Sequence, residues 1–408
     1  MDERLYLVKE GEISLKGGNR IMFERKLRAN IRSKLKPYES RMDKSKGRVY
    51  VFVDDNCPRE KAEKALSTTF GITGWAESEK CKEKSIESII EKTEEILSRH
   101  PFGDTGSFKV DVKREDKSFP MDSHMVAITL ADIIEKYYPN LSVDLKNPDY
   151  TLTVEIRNHC FVYTDSKKSV GGLPVGTAGR GMLLLSGGID SPVAGFTMAK
   201  RGLKLDCCYF HAYPYTSELA LEKVKKLASL IAPYLQGTRL FVVPFTKGQE
   251  YIRDHGVEEE ATLMFRASMM QTAQKLSKRY HDISIVTGEA VSQVASQTLD
   301  AMTFTDSMTD LLVLRPLCGL DKEEIIERAK AIGTYDTSIL PYEDCCVVFS
   351  PKHPVTRPNK EEMTEHFKAL NMDALIDEAV ENTVVYTFSD QGEELGFEEV
   401  RKIEDEEN

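Results

Sequence analysis

At 408 residues the chain exceeds what one ordinary hydrophobic core serves, so two or three domains are expected. Its 41% hydrophobic and 30% charged residues are those of a folded globular protein, and no apolar run approaches the roughly 18 residues of a membrane helix. A net charge of −11 argues against nucleic-acid binding when taken globally, yet residues 1–50 hold fourteen Lys/Arg against seven Asp/Glu, while residues 381–408 hold two against ten. A basic surface and an acidic tail are the local reading. Met1-Asp2-Glu3-Arg4 opens without a signal-peptide core, so a cytoplasmic location is expected, with the eight cysteines reduced. They show no spaced disulfide framework: Cys57, Cys81, Cys160 and Cys318 are isolated, and Cys207-Cys208 and Cys345-Cys346 are adjacent pairs.

Residues 5–8 read as a short strand, broken by Gly11, Gly17 and Gly18. A helix is predicted from about residue 19 to 35, with Asn19 as its N-cap. Phe23, Leu27, Ile31 and Leu35 recur every four residues as its buried stripe, whereas Arg25, Arg28, Arg32 and Lys36 fall on another face. That row is either a solvated face or a set of phosphate contacts, whose binding would depend on salt. Residues 48–53 form a strand. Beyond it, helices at 60–67 and 85–98, a strand at 108–113, a helix at 126–138 and a hairpin of 150–156 with 160–164 compose a second module. The Gly/Pro-rich run Gly171-Gly172-Leu173-Pro174-Val175-Gly176 is a joint.

From Gly181 the pattern changes. Short apolar strands at 182–185, 205–210, 239–245 and 283–287 alternate with helices at 192–201, 217–232, 258–280 and 322–332, which predicts a parallel sheet covered on both faces. The segment after about residue 390 is acidic, and an unstructured tail is expected.

Between the first of these strands and its helix lies Ser186-Gly187-Gly188-Ile189-Asp190-Ser191. Small residues there let backbone N–H groups turn toward an anion, the helix N-terminus adds partial positive charge, and the serines add donors. No GxxxxGK[ST] occurs, so this is not a Walker A loop. The SGGxDS pattern resembles the PP-loop of ATP pyrophosphatases, which cleave ATP between the α- and β-phosphates and adenylate a carbonyl oxygen. The segments GEISLKGGNRIMFERKL, GLPVGTAGRGM, SGGIDSPVAG, VTGEAVSQVASQT and RPLCGLDKEEI resemble the tRNA 4-thiouridine synthetase (ThiI) family, over roughly residues 1–390.

The resemblance implies an α/β protein of three domains: a ferredoxin-like α+β domain at 1–59, a THUMP α/β RNA-binding domain at 60–165, and a PP-loop domain of the adenine nucleotide alpha hydrolase-like kind at 181–390. A linker at 166–180 and the acidic tail at 391–408 complete the chain. It also implies ATP contacts at Leu184, Leu185, Ser186, Gly187, Gly188, Asp190, Ser191, Tyr209, Phe210, Arg266, Gly288 and Gln297. Asp190 would act with Mg²⁺ on the phosphates, Lys322 in the same step, and Cys345 would carry a persulfide. No protein-bound metal is implied. Read without the family, Arg266 is a surface helical arginine, Lys322 the first turn of a helix, and Cys345-Cys346 a structural pair near a loop. Lys352 and His353 follow Cys345 closely enough to favour its thiolate. Cys207, Cys208 and Cys346 are candidates for a resolving thiol, the first two reading first as packing in an apolar strand.

The implied activity is ATP-dependent adenylation of a tRNA uridine, position 8 by family analogy, followed by replacement of O4 with sulfur. Arg25, Arg28, Arg32 and Lys36 would then hold tRNA. The implied partners are tRNA and a cysteine desulfurase, with a sulfur-carrier protein of thiamine synthesis and a homodimer left open. Some family members append a rhodanese domain; the roughly 50 residues after Pro351–Pro358 are too few for one. The alternatives are another PP-loop tRNA modifier, of 2-thiouridylase or lysidine synthetase type, and a non-catalytic tRNA-binding protein.

Overall fold

The computed structural model describes residues 3–45, 48–164, 166–342, 345 and 349–400. Three sheets organise them, and the backbone divides into two compact units at Gly172/Leu173, with residues 22–30 of the helix Arg20–Leu35 counted in the second.

The first unit holds two five-stranded sheets. In the first, β1 (Glu3–Glu10), β2 (Ser40–Ser45), β3 (Arg48–Asp54), β4 (Ile72–Glu77) and β10 (Lys167–Lys168) lie in the order β10-β4-β1-β3-β2, every pair antiparallel. The apolar runs Leu5–Val8 and Val49–Val53 meet here, with Leu5 opposite Phe52 and Leu7 opposite Tyr50. The β4 strand pairs with β1 from Tyr6↔Glu77 onward, so the first domain cannot end at residue 59. Its helix Arg59–Ser67 and β4 belong to it, and the boundary moves to about residue 78. In the second sheet, β5 (Glu79–Lys80), β6 (Gly106–Arg114), β7 (Leu141–Val143), β8 (Tyr150–Ile156) and β9 (Cys160–Tyr163) run β5-β9-β8-β6-β7, with β6 parallel to both neighbours. The hairpin expected from the sequence is the antiparallel pair β8–β9. The helices Ile86–Leu97 and Ser123–Tyr137 bury Ile89, Leu97, Val126 and Leu130 against this sheet, and Ser85 and Asp122 cap them by accepting from Ser88 N and Met125 N.

The second unit is built on seven strands. The parallel strands β11 (Arg180–Leu184), β12 (Lys204–His211), β13 (Thr238–Pro244), β14 (Ser284–Val286) and β15 (Leu312–Leu314) are followed by antiparallel β16 (Val384–Phe388) and β17 (Glu394–Glu399). Their order is β15-β14-β11-β12-β13-β16-β17. From β11 the chain moves to β12 and β13 on one side, then returns to place β14 and β15 on the other. That reversal puts a crevice at the carboxyl ends of β11 and β14, where open α/β sheets hold their ligands. The continuous burial of β11 and β12 reflects helices on both faces, among them Asp190–Ala199, Glu218–Leu235 and Ala261–Tyr280.

The tail is corrected too. Residues 394–399 form β17, hydrogen-bonded along β16, with Phe397 against Tyr386 at 5.5 Å between ring centroids. Backbone pairing outweighs their acidity. Residues 401–408 lie outside the described residues. Among the described residues no helix is long and apolar enough to cross a membrane.

Candidate functional site

The turn after β11 is tied together by its own serines. Ser186 N donates to Ser191 Oγ at 2.9 Å, and Gly188 N donates to Ser186 Oγ at 3.3 Å. The loop therefore leads straight into the N-terminus of the helix Asp190–Ala199, with its small residues wrapped around that end. Across the crevice, the turn after β14 comes so close that only glycine fits at 288. A Cβ there would stand 2.7 Å from Ser191 N and 2.9 Å from Ser191 Cα. Gly288→Ala must push the two turns apart, at a cost of roughly 1–3 kcal/mol. ATP affinity is expected to fall about tenfold or more, and isothermal titration with a non-hydrolysable ATP analogue measures it; unchanged affinity would refute the close approach.

Between these turns lies a cavity of about 400 Å³. Of the expected nucleotide contacts, Leu184, Ser186, Asp190, Ser191, Arg266, Gly288 and Gln297 line it. Leu185, Gly187, Gly188, Tyr209 and Phe210 do not line it. Tyr209 and Phe210 are buried, and Phe210 packs edge-on against Phe245 and Phe265 in the core. Lys322, expected in the phosphate step, donates from Nζ to Asp190 Oδ1 at 2.6 Å, although 132 residues separate the two. Gln293, not anticipated from the sequence, donates to Asp190 Oδ2 at 2.9 Å.

Arg266 reaches the cavity from the helix Ala261–Tyr280 and is ion-paired with Glu289, a second residue the sequence reading missed. Burial by itself would raise the Glu289 carboxyl, but Arg266 and Arg315 hold it below the usual carboxylate value. Both missed residues lie in the segment VTGEAVSQVASQT, which the sequence had already marked. A carboxylate after a strand-ending glycine was the available signal. Thr287, Thr305, Met269, Met270 and Val294 complete the lining. A lining arginine, a lysine held on Asp190, a helix N-terminus and serines facing an apolar floor suit a polyphosphate carrying an aromatic base.

Cys345 is elsewhere. It is buried, its carbonyl accepts from Gln249 Nε2 at 2.8 Å, and it lines a separate, smaller cavity with Arg253, Thr262, Phe265 and Phe349. Lys352 and His353 are exposed, and the cation at this cavity is Arg253. Of the candidate resolving thiols, Cys208 shares the core cluster of Cys345, and burial pushes its thiol up. Cys207 lies 3.5 Å from Thr238 Oγ1 and is pushed up to about 12 by burial. Cys346 lies outside the described residues.

On the helix Arg20–Leu35 the expected two faces are present: Phe23, Leu27, Ile31 and Leu35 are buried, Arg25 and Arg32 are exposed, and Arg28 is half-buried. Lys36 follows, exposed. Among the described residues no carboxylate pairs with any of these four cations. Asn19 occupies the N-cap position, but its side chain makes no capping bond.

Residues 176–372 match the family model described as thiamine biosynthesis protein (ThiI), residues 83–165 the THUMP domain, and residues 5–76 the ThiI ferredoxin-like domain. A probable tRNA sulfurtransferase of Acetivibrio thermocellus is 43% identical over 396 residues, 95% of this chain and 99% of that protein. One of Clostridium kluyveri is 44% identical, covering 93% of this chain and 98% of its own length. Among solved structures, a 4-thiouridine synthetase–RNA complex with bound ATP superposes with a TM-score of 0.83 at 36% identity, over 95% of this chain and all of that one.

Proposed function

The chain belongs to the ThiI family of tRNA sulfurtransferases, and from that membership we propose that it uses ATP to adenylate a tRNA uridine and then replaces O4 with sulfur, giving 4-thiouridine. The observation that carries this reading is the crevice after β11 and β14, where Ser186, Asp190 and Ser191 of the SGGIDS turn share one cavity with Arg266, and Lys322 is held on Asp190. An ATP laid along it would have its phosphates at the helix end beside Lys322 and Arg266, its base toward the methionines. Uridine O4 attacks the α-phosphorus and pyrophosphate leaves. The uridine oxygen, a poor leaving group, thereby becomes part of AMP.

Mg²⁺ accompanying ATP would be held by the phosphates with Asp190, the carboxylate of the SGGIDS turn that lines the cavity, as its protein ligand. When bound it would offset phosphate charge. Asp190 and Lys322 orient one another at that position, and Gln293 fixes the second carboxylate oxygen.

In the second step the terminal sulfur of a Cys345 persulfide bonds to C4 and AMP departs. Attack of a second thiol on Cys345 Sγ then breaks the S–S bond, releasing the thiolated base and leaving a protein disulfide for cellular thiols to reduce. Cys208, in the same core cluster, Cys346, the sequence neighbour of Cys345, and Cys207 are the candidates for that thiol. Because Cys345 is buried beside a cavity other than the nucleotide's, the transfer step requires Cys345 and the activated C4 to be brought together. Sulfur comes from a cysteine desulfurase, and the persulfide would equally serve a sulfur-carrier protein of thiamine synthesis. We place the enzyme in the cytoplasm, where tRNA and reducing thiols meet; a homodimer is compatible with this scheme. The test is mass spectrometry of nucleosides after incubating purified protein with ATP, tRNA and a persulfide donor. An absence of 4-thiouridine would refute the proposal, and 2-thiouridine or lysidine would transfer it to another PP-loop modifier.

Arg25, Arg28 and Arg32 are assigned to tRNA phosphates, with Lys36 at the end of the row. Replacing all three arginines with alanine should weaken tRNA binding and reduce the log–log salt slope by roughly one for each phosphate left unneutralised. Filter binding between low and moderate salt measures it; an unchanged slope means the row is only solvated.

A further inference from the structure

The arginine at the nucleotide cavity is not held by the cavity alone. Glu289 lines the same space yet is only 3% exposed. One of its oxygens is ion-paired with Arg266 Nη2. The other accepts from Arg315 Nε at 2.7 Å and from Thr287 Oγ1 at 2.8 Å. Arg315 in turn donates from Nη2 to Asp306 Oδ1 at 2.6 Å. The side chains Asp306, Arg315, Glu289 and Arg266 thus alternate in charge and end at the cavity. A bare carboxylate beside a polyphosphate would repel it. Bridged by two guanidiniums, the same carboxylate becomes a fixed post for the one that faces the ligand. An arginine has several rotatable bonds, and its fork is selective only when its plane is set. The backbone of Glu289 is itself fixed, because Gly288 is pressed against Ser191.

We propose that Glu289 is a positioning residue for the adenylation step, holding the Arg266 fork toward the departing pyrophosphate, while Arg315 and Asp306 hold Glu289. This rests on reading the crevice as the site of ATP cleavage. The predicted signature separates geometry from binding. Glu289→Gln keeps the shape but loses the charge that orients Arg266. tRNA-dependent pyrophosphate release should fall on the order of 10- to 100-fold in kcat, with the KM for ATP within about threefold of wild type.

The experiment is a double-mutant cycle on full-length protein, read as pyrophosphate release with ATP and tRNA in the absence of a sulfur donor. Arg266→Ala alone should lower kcat by on the order of 100-fold or more. Adding Glu289→Gln to it should then change kcat by less than about twofold. A Glu289→Gln effect of undiminished size in the Arg266→Ala background would overturn the inference, because Glu289 would then act directly or merely hold the fold. A wild-type kcat in Glu289→Gln would overturn it equally. If the glutamine variant unfolds, Glu289→Asp, which keeps the charge but shortens the reach, takes its place in the same cycle with the same two outcomes. Failure of the wild type to release pyrophosphate would instead remove the proposed function, and this inference with it.

Discussion

Asp190→Ala is expected to abolish tRNA-dependent pyrophosphate release, by on the order of 1000-fold in kcat, while leaving tRNA affinity within a few-fold. Asp190 opens the helix that follows the SGGIDS turn, and its two oxygens engage Lys322 at 2.6 Å and Gln293 at 2.9 Å. Removing the carboxylate leaves Lys322 without its partner and takes away the proposed protein ligand of the metal on ATP. Both losses fall on the charge that develops as pyrophosphate leaves. The cations proposed to hold tRNA lie on the helix Arg20–Leu35 and just after it, far away in the chain, so RNA binding should persist. Near-normal pyrophosphate release by the mutant would sink the assignment. Asp190→Asn sharpens the experiment, since it preserves the hydrogen bond to Lys322 but not the charge.

Cys345→Ser should produce the opposite division of labour: adenylated tRNA forms and no 4-thiouridine follows, because a hydroxyl cannot carry a transferable sulfur. The loss should be complete within detection. Its cavity is lined by Phe265 and Phe349 together with Arg253 and Thr262, with Gln249 on its carbonyl, and serine, no larger than cysteine, fits that space. The adjacent Cys346→Ser should keep partial activity. Single-turnover assay with a desulfurase donor, followed by peptide mapping of the non-reduced enzyme, checks both. Full 4-thiouridine yield from Cys345→Ser would overturn the catalytic assignment, whereas a mapped bridge omitting Cys345 would remove only the resolving-thiol step.

Local chemistry made the nucleotide crevice legible. A strand, a glycine turn and a helix in succession describe themselves in the sequence, and so does the hairpin β8–β9. The parts that escaped depend on distant partners. β4 reads Ile-Thr-Gly-Trp-Ala-Glu, with no alternation, and becomes a strand because β1, some 65 residues earlier, offers an open edge. β17 carries Glu394, Glu398 and Glu399 and exposes Leu395 and Phe397, so nothing in its hydropathy announces a strand; the backbone of β16 supplies the reason. Glu289 and Gln293 stood in a segment already marked, but their roles depend on Arg266, Arg315 and Asp190, which arrive from other elements. Cys345 was recognised by family likeness, while its burial apart from the nucleotide cavity is a fact of packing that no spacing reveals.

The ion pair between Asp190 and Lys322 also sets a timetable. The 150 residues from Gly172 to Lys322 take about 8–30 s to synthesise at roughly 5–20 residues per second. Throughout that interval the first two sheets are complete in the growing chain while the nucleotide crevice lacks its lysine. A ribosome-bound nascent chain in that interval carries the SGGIDS turn while Asp190 still lacks its lysine. The pair waits for about the last fifth of translation.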